Sequence, residues 1–287
     1  MTTTDPLCLL AIYAHPDDEG LVTGIFTHYR SEGIHVVLVC ATRGEEGEIA
    51  PGVDATPETL GRVREHELRS AMKHAGVNEI HFLGYRDSGM VDTAPNKRED
   101  NLHNAPLDEV AGRLIQIIRE TKPQVLVTFD PTGGYGHPDH IKIHLATMEA
   151  FERAGDPKAY PEQLVNGTQP YQPLKLYWNA FSREFFVKVI QYFKEQGIDT
   201  SEFGPFDPEK RGTPAGRITT SVDVSPYLGV KEKAWASHAS QHNPNSIFGR
   251  VPRELMLTWQ SKENLELART RLPRVDGIED DLFAGIR

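Results

Sequence analysis

Cysteine and positive charge are both scarce in this chain, and each shortage removes a class of function. Only two of the 287 residues are cysteine. Cys8 and Cys40 each lie inside an apolar run that reads as a strand, so burial as small hydrophobic side chains is expected, not a disulfide framework. Lysine and arginine number 31 against 41 acidic residues, a net charge of −10. A phosphate-backbone partner calls for a concentrated positive surface, so nucleic acid is not expected to bind. Long apolar runs are missing too. Met1 to Pro6 has no basic start, and His15, Asp17 and Asp18 interrupt the next apolar stretch too early for a leader or a membrane span. The expectation is a cytoplasmic chain with no membrane partner.

What the sequence does contain is a strand–helix rhythm. Leu7 to Tyr13 is a continuous apolar run, the mark of a strand covered on both faces, and Glu19 to Ser31 has helical spacing closed by Gly33. Val36 to Cys40, Pro57 to His74 and Ile80 to Leu83 repeat strand, helix and strand. Asp87 to Ala105 is polar and too long for a minimal connection, so it reads as a loop over the sheet edge. Leu107, Val110, Leu114, Ile117 and Ile118 form a helical stripe before Pro123 and the strand Val125 to Phe129. A helix from Pro138 to Arg153 follows. Beyond Gly155 the pattern loosens into strands at Leu174 to Phe181 and Ile218 to Val224, helices at Glu184 to Gln196 and Pro226 to His238, and a loop over Gly204 to Gly216.

This spells an α/β protein: a Rossmann-like layered fold with a mostly parallel central sheet, helices on both faces and a C-terminal extension. The length suits one large domain. Residues 1–155 are expected to form the core that carries the site, and 156–287 to complete the same domain and contribute to the substrate pocket.

Two short strings follow predicted strands, where open α/β sheets place their sites: His15-Pro16-Asp17-Asp18-Glu19 and His137-Pro138-Asp139-His140. His15 and Asp18, three apart across a tight turn, can converge on one point, and His137 and His140 are the source of a third ligand. Imidazole with carboxylate suits zinc or a similar first-row ion, and three protein ligands leave a position for water. A carboxylate not spent on the metal can accept that water's proton, and Asp17 is the candidate. Glu19 fits a capping or supporting place beside the pair. Glycine freedom in Gly133-Gly134-Tyr135-Gly136 would let Tyr135 and His137 approach a developing oxyanion. A phosphate cradle there lacks the required spacing and lysine.

The two strings resemble the PIG-L/LmbE family of metal-dependent N-acyl hydrolases. The likeness extends to Gly44-Glu45-Glu46-Gly47-Glu48, to Arg64 and Glu67, to Asp87-Ser88-Gly89 and to Gly133 through His140. His238-Ala239-Ser240-Gln241 and Leu282-Phe283-Ala284-Gly285-Ile286 are similar to the longer members, the mycothiol S-conjugate amidases among them. The resemblance implies zinc, or ferrous iron in its place, on His15, Asp18 and His140, with Asp17 as general base. It implies that His137 steadies the oxyanion or protonates the leaving amine, that Asp139 orients His137, and that Tyr135 contacts the tetrahedral intermediate. Arg64 and Asp87 would hold sugar hydroxyls, with His238 on the substrate side.

The expected activity is hydrolysis of a linear amide, either removing the acyl group of an N-acetylglucosaminyl-type conjugate or splitting a glucosaminyl thiol-conjugate amide. The partner is then a small amino-sugar or thiol-conjugate molecule, and assembly into a homo-oligomer stays open. Rival readings are a metal-dependent phosphoesterase and a sugar-binding module without catalysis.

Overall fold

The computed structural model describes residues 6–199, 211–244, 246 and 248–287. The apolar segments read from the sequence pair as parallel strands: β1 (Cys8–Tyr13), β2 (His35–Cys40), β3 (Glu79–Phe82), β4 (Val125–Thr128) and β5 (Lys175–Asn179). Every residue of β1 and β4 is buried, which explains their unbroken hydrophobicity. Two more strands complete a seven-stranded sheet, β6 (Thr220–Asp223) and β7 (Lys262–Thr270), in the order β3-β2-β1-β4-β5-β7-β6. Only β7 runs against the rest, pairing antiparallel with both β5 and β6. The sheet is therefore mostly parallel, as the sequence predicts.

Helices α1 (Thr23–Ser31), α2 (Leu60–His74), α3 (Leu107–Thr121) and α4 (Pro138–Arg153) connect the strands. Strand order steps outward from β1 to β3, then returns to β4 on the other side. Right-handed crossovers in those two directions put α1 and α2 on one face and α3 and α4 on the other. Packing agrees, with α3 against α4, and α1 and α2 both against a later helix, α6 (Leu228–Ser237). Helix α5 (Arg183–Gln196) starts at Ser182, whose side chain accepts the Phe185 N–H, and ends at Gly197 in the left-handed region. It forms a small second apolar cluster with α7 (Arg253–Trp259).

The predicted loop at Asp87 to Ala105 holds one short turn at Pro95–Lys97 and folds back on itself, with Arg86 bridged to Asn101. Of the loop predicted at Gly204 to Gly216, positions 204–210 lie outside the described residues, and Thr213 is bridged to Ser182. The first predicted helix begins four residues late, because Asp18–Leu21 forms a separate 3-10 turn that frees the ends of Asp17 and Asp18 for other partners. Cys8 and Cys40 are free and buried. No helix among the described residues is long and apolar enough to cross a membrane.

Near the C-terminus, Leu282, Phe283 and Ile286 join the main hydrophobic core. Buried Lys175 on β5 pairs with Glu279 at 3.0 Å, and the Tyr177 hydroxyl donates to the same carboxylate at 2.8 Å. Glu263 on β7 accepts from the backbone N–H groups of Gly24 and Ile25 at the start of α1, and from Lys231. A carboxylate at those unpaired amides complements the positive end of the helix.

Candidate active site

The order of the strands reverses between β1 and β4, and the crevice outside their carboxyl ends is where α/β sheets hold ligands. Both histidine strings emerge there. His15 Nδ1 and His140 Nε2 stand 3.1 Å apart. The Asp18 carboxylate closes a triangle with them, at 3.5 Å from His15 Nδ1 and 3.4 Å from His140 Nε2. Ligands at zinc's usual bond lengths of about 2.0–2.1 Å sit about 3.3 Å from one another along a tetrahedron's edges. The three side chains therefore fit a single first-row cation.

The second nitrogen of each imidazole is also engaged. His140 Nδ1 lies 3.0 Å from the Gly133 carbonyl, so it carries a proton and leaves Nε2 as the donor atom. His15 Nε2 lies 3.2 Å from Asp139 and 3.4 Å from Asp87, an arrangement of carboxylates behind a ligating histidine that fixes its ring. His15, Asp87 and Asp139 can also be viewed as a donor group in their own right. Their carboxylates are already spent, however: Asp139 accepts from the Ser88 N–H and hydroxyl, and Asp87 accepts from the N–H groups of Glu46 and Gly89.

His137 is the N-cap of α4, and its Nδ1 accepts the Asp139 backbone N–H at 3.2 Å. The ring proton therefore sits on Nε2. His15, His137 and His140 present ring nitrogens within reach of one ion. Tyr135 stands at the mouth, 63% exposed, with its ring 5.2 Å from that of His140 and 6.1 Å from that of His137. Gly133 must be glycine here. It has φ +62, and a Cβ on it would meet the His140 Cβ at 2.7 Å.

Asp17 has left-handed backbone, φ 95, a conformation that costs a non-glycine residue about 1–3 kcal/mol. Three contacts, made by Glu19 and Arg64, hold it there. Its N–H donates to Glu19 at 2.9 Å, its carboxylate lies 3.3 Å from Arg64, and Arg64 also donates to the Pro16 carbonyl at 2.6 Å. The glycines of the 44–48 turn make room for this arginine: a Cβ on Gly44 would meet its guanidinium at 2.1 Å.

Buried charges set the protonation pattern. Burial pushes the Asp17 carboxyl up to about 6, against the pull of Arg64. For Asp18 burial acts the same way, but His140 and His15 overcome it and hold the carboxyl at about 2. Burial disfavours charge on His15 as well, yet Asp87, Asp139 and Asp18 together raise its pKa well above the ordinary value. Burial, with His15 and His140 nearby, lowers His137 to about 4, so its imidazole is neutral near pH 7.

Two sequence expectations meet a different arrangement. The Asp139 carboxylate does not reach His137; it turns to His15 and Ser88, because helix capping gives His137 the Asp139 backbone instead. His238, expected on the substrate side, is 4% exposed, and its Nε2 lies 2.7 Å from the Glu19 carboxylate. Arg64 and Asp87 both reach the site, through Asp17 and His15 respectively. Ser88 is the participant that sequence reasoning did not single out. Its place beside Asp87 in the quoted string was the only signal.

A histidine–carboxylate cluster at the switch point of a Rossmann-like sheet, with one carboxylate left over beside the donor set, is an arrangement suited to hydrolysis by an activated water. A family profile described as "PIG-L: GlcNAc-PI de-N-acetylase" matches residues 10–151. The chain is 39% identical to the 1D-myo-inositol 2-acetamido-2-deoxy-alpha-D-glucopyranoside deacetylase of Streptomyces avermitilis, over 97% of this chain and 97% of that one. It is 37% identical to the mycothiol S-conjugate amidase of Streptomyces coelicolor, over 99% of each chain. Among solved structures, the N,N'-diacetylchitobiose deacetylase of Pyrococcus horikoshii superposes with a TM-score of 0.65 at 21% identity, over 92% of this chain and 84% of the other, which speaks for the fold. The chain belongs to the PIG-L family. It is a hydrolase of carbon–nitrogen bonds in linear amides.

Proposed function

We propose that the chain hydrolyses the amide on the amino group of a glucosaminyl conjugate, with zinc or ferrous iron held by His15, Asp18 and His140. The observation that carries this is the triangle of 3.1, 3.4 and 3.5 Å between those three side chains, with Asp17 beside it. Bound there, the cation would acidify a water and polarise the amide carbonyl.

The chain's own groups do the rest. Asp17, kept in place by Arg64 and Glu19, accepts the attacking water's proton. His137, neutral with its proton on Nε2, donates to the oxygen on which negative charge develops. Tyr135 at the mouth contacts the same tetrahedral carbon's substituents, and the proton that Asp17 took from the water passes to the leaving amine. Asp139 and Asp87 fix the His15 ring. In this reading Arg64 and Asp87 would also hold sugar hydroxyls with the hydrogen-bonding capacity their protein partners leave over, since a site that binds hydroxyls rejects ligands that leave it unpaired.

The relatives' names supply the substrate class: an acetamido sugar on inositol for one, a mycothiol conjugate for the other. Similar identity to both leaves the deacetylase and amidase activities side by side in this reading. Residues 156–287 would complete the same domain as 1–155, which agrees with β5, β7 and β6 extending the sheet of β1 to β4. The cytoplasm is the proposed setting, to which two free, buried thiols are suited.

The deciding assay sets purified chain, loaded with zinc or with ferrous iron, against N-acetylglucosaminyl-inositol, N-acetylglucosaminyl-malate and a mycothiol conjugate. Release of a free amine from at least one is expected. Full metal occupancy with no amine released from any of them would overturn the proposal, and phosphate release from a phosphoester panel would replace it with the phosphoesterase reading.

A further inference from the structure

Behind Asp17 lies a second line of buried polar groups that the reaction itself does not use. Glu19 is 1% exposed, and its two carboxylate oxygens face different ways. Oε2 accepts the Asp17 backbone N–H at 2.9 Å, while Oε1 meets His238 Nε2 at 2.7 Å. An ionised carboxylate only accepts, so His238 Nε2 is the donor. His238 comes from the far end of the chain, separated from Glu19 by 219 positions. A buried carboxylate bridging a strained backbone and a distant histidine is a costly arrangement unless every partner is in place.

The segment that delivers His238 is itself anchored. Just after α6, Ser240 gives its backbone N–H to Glu67 at 2.8 Å and its hydroxyl to the same carboxylate at 2.6 Å. The Ser240 carbonyl accepts from Ala50, and the Gln241 side chain reaches the Glu48 carbonyl. Glu67 sits one helical turn from Arg64 on α2, so one face of one helix holds both the His238 segment and the Asp17 carboxylate.

We propose that His238, acting through Glu19, is a positioning residue for Asp17: it holds the Glu19 carboxylate where that carboxylate pins the Asp17 backbone in its left-handed conformation. His238 does not touch substrate in this account. The inference rests on Asp17 being the base. Its structural half, that His238 sets the Asp17 backbone, stands whether or not that role does.

The test compares His238→Ala, His238→Gln and Glu19→Ala with the parent, all metal-loaded, for metal content, kcat, KM, Tm and crystal structure. A glutamine amide can place a donor close to where the imidazole Nε2 lies. His238→Ala is expected to lower kcat about 10- to 100-fold, the scale of a misplacement near 1 Å, with KM and metal content unchanged. His238→Gln should recover most of that loss. In crystals of His238→Ala and of Glu19→Ala, Asp17 should leave the left-handed region. A rise in KM at constant kcat, recovered by neither variant, would make His238 a substrate contact. A fall in Tm with kcat intact would make it structural. Either result overturns the proposal, as does an unmoved Asp17 in the His238→Ala crystal. Should His238→Ala fail to fold, Glu19→Ala and His238→Gln carry the same comparison. If the parent hydrolyses none of the amides, the functional reading fails, and the Asp17 backbone in the variants still decides this inference.

Discussion

His15 and His140 are 125 positions apart in sequence, yet their ring nitrogens approach to 3.1 Å. Adjacent parallel strands β1 and β4 end side by side; His15 directly follows β1, and His140 sits in the first turn of α4, the helix that follows β4. With the outer nitrogen of each ring already engaged, the two inner nitrogens face a common point, where one proton or one cation can be shared.

Removing either imidazole should therefore empty the site. His15→Ala and His140→Ala should each lose most bound metal by elemental analysis, with turnover falling in step. Asp17→Ala should keep its metal and lose about 100- to 10,000-fold in kcat, the usual worth of a general base. An Asp17→Ala variant with near-parental kcat would remove Asp17 from that role.

Acid should switch the activity off. Burial holds the Asp17 carboxyl at about 6, and a base works only when deprotonated, so kcat/KM should drop as pH falls through its pKa. A neighbouring cation pulls a carboxyl downward, which puts the acid limb of the loaded enzyme at or below about 6. The check is a pH–rate profile taken where circular dichroism shows the fold intact; a limb well above 6 would point to a different group.

Gly44→Ala should damage activity although Gly44 lies outside the donor set. The added methyl would collide with the Arg64 guanidinium, and φ +67 adds backbone strain of about 1–3 kcal/mol. We expect a lower Tm together with a kcat loss like that of Arg64→Ala. Activity equal to the parent's would mean that Arg64 does not need its place against Asp17.

Glu279→Ala should be felt far from the site. It strands Lys175, 2% exposed, without its carboxylate, and removing one partner of a buried pair costs about 3–5 kcal/mol. The expected result is a Tm several degrees lower with kcat per folded molecule preserved. Glu279→Gln, which keeps an acceptor for the Tyr177 hydroxyl, should lose less.

The first half of the fold was readable because β1, β4 and nearly all of β2 are buried on both faces and so are apolar, and its helices alternate with the strands at short intervals. The site was readable because its ligands sit in two tight strings. Strand β7 escaped, although it pairs with two others, because Lys262, Glu263 and Glu266 read as surface. Glu263 is buried all the same, since it serves the α1 amides and Lys231. The direction of the Asp139 carboxylate also escaped, because capping by His137 depends on where α4 begins in space. His238 was visible as part of a string, but its partner Glu19 lies in another, and only folding joins them.

Strand β7 lies between β5 and β6, yet it is made after both. During synthesis on the ribosome, one edge of β5 must wait, its hydrogen-bonding groups unmatched, until β7 has emerged. Such an edge is a template for the wrong neighbour. The interval between the synthesis of β5 and that of β7 is thus a window in which this protein is open to aggregation, and slower growth or chaperone supply should raise the yield of native material.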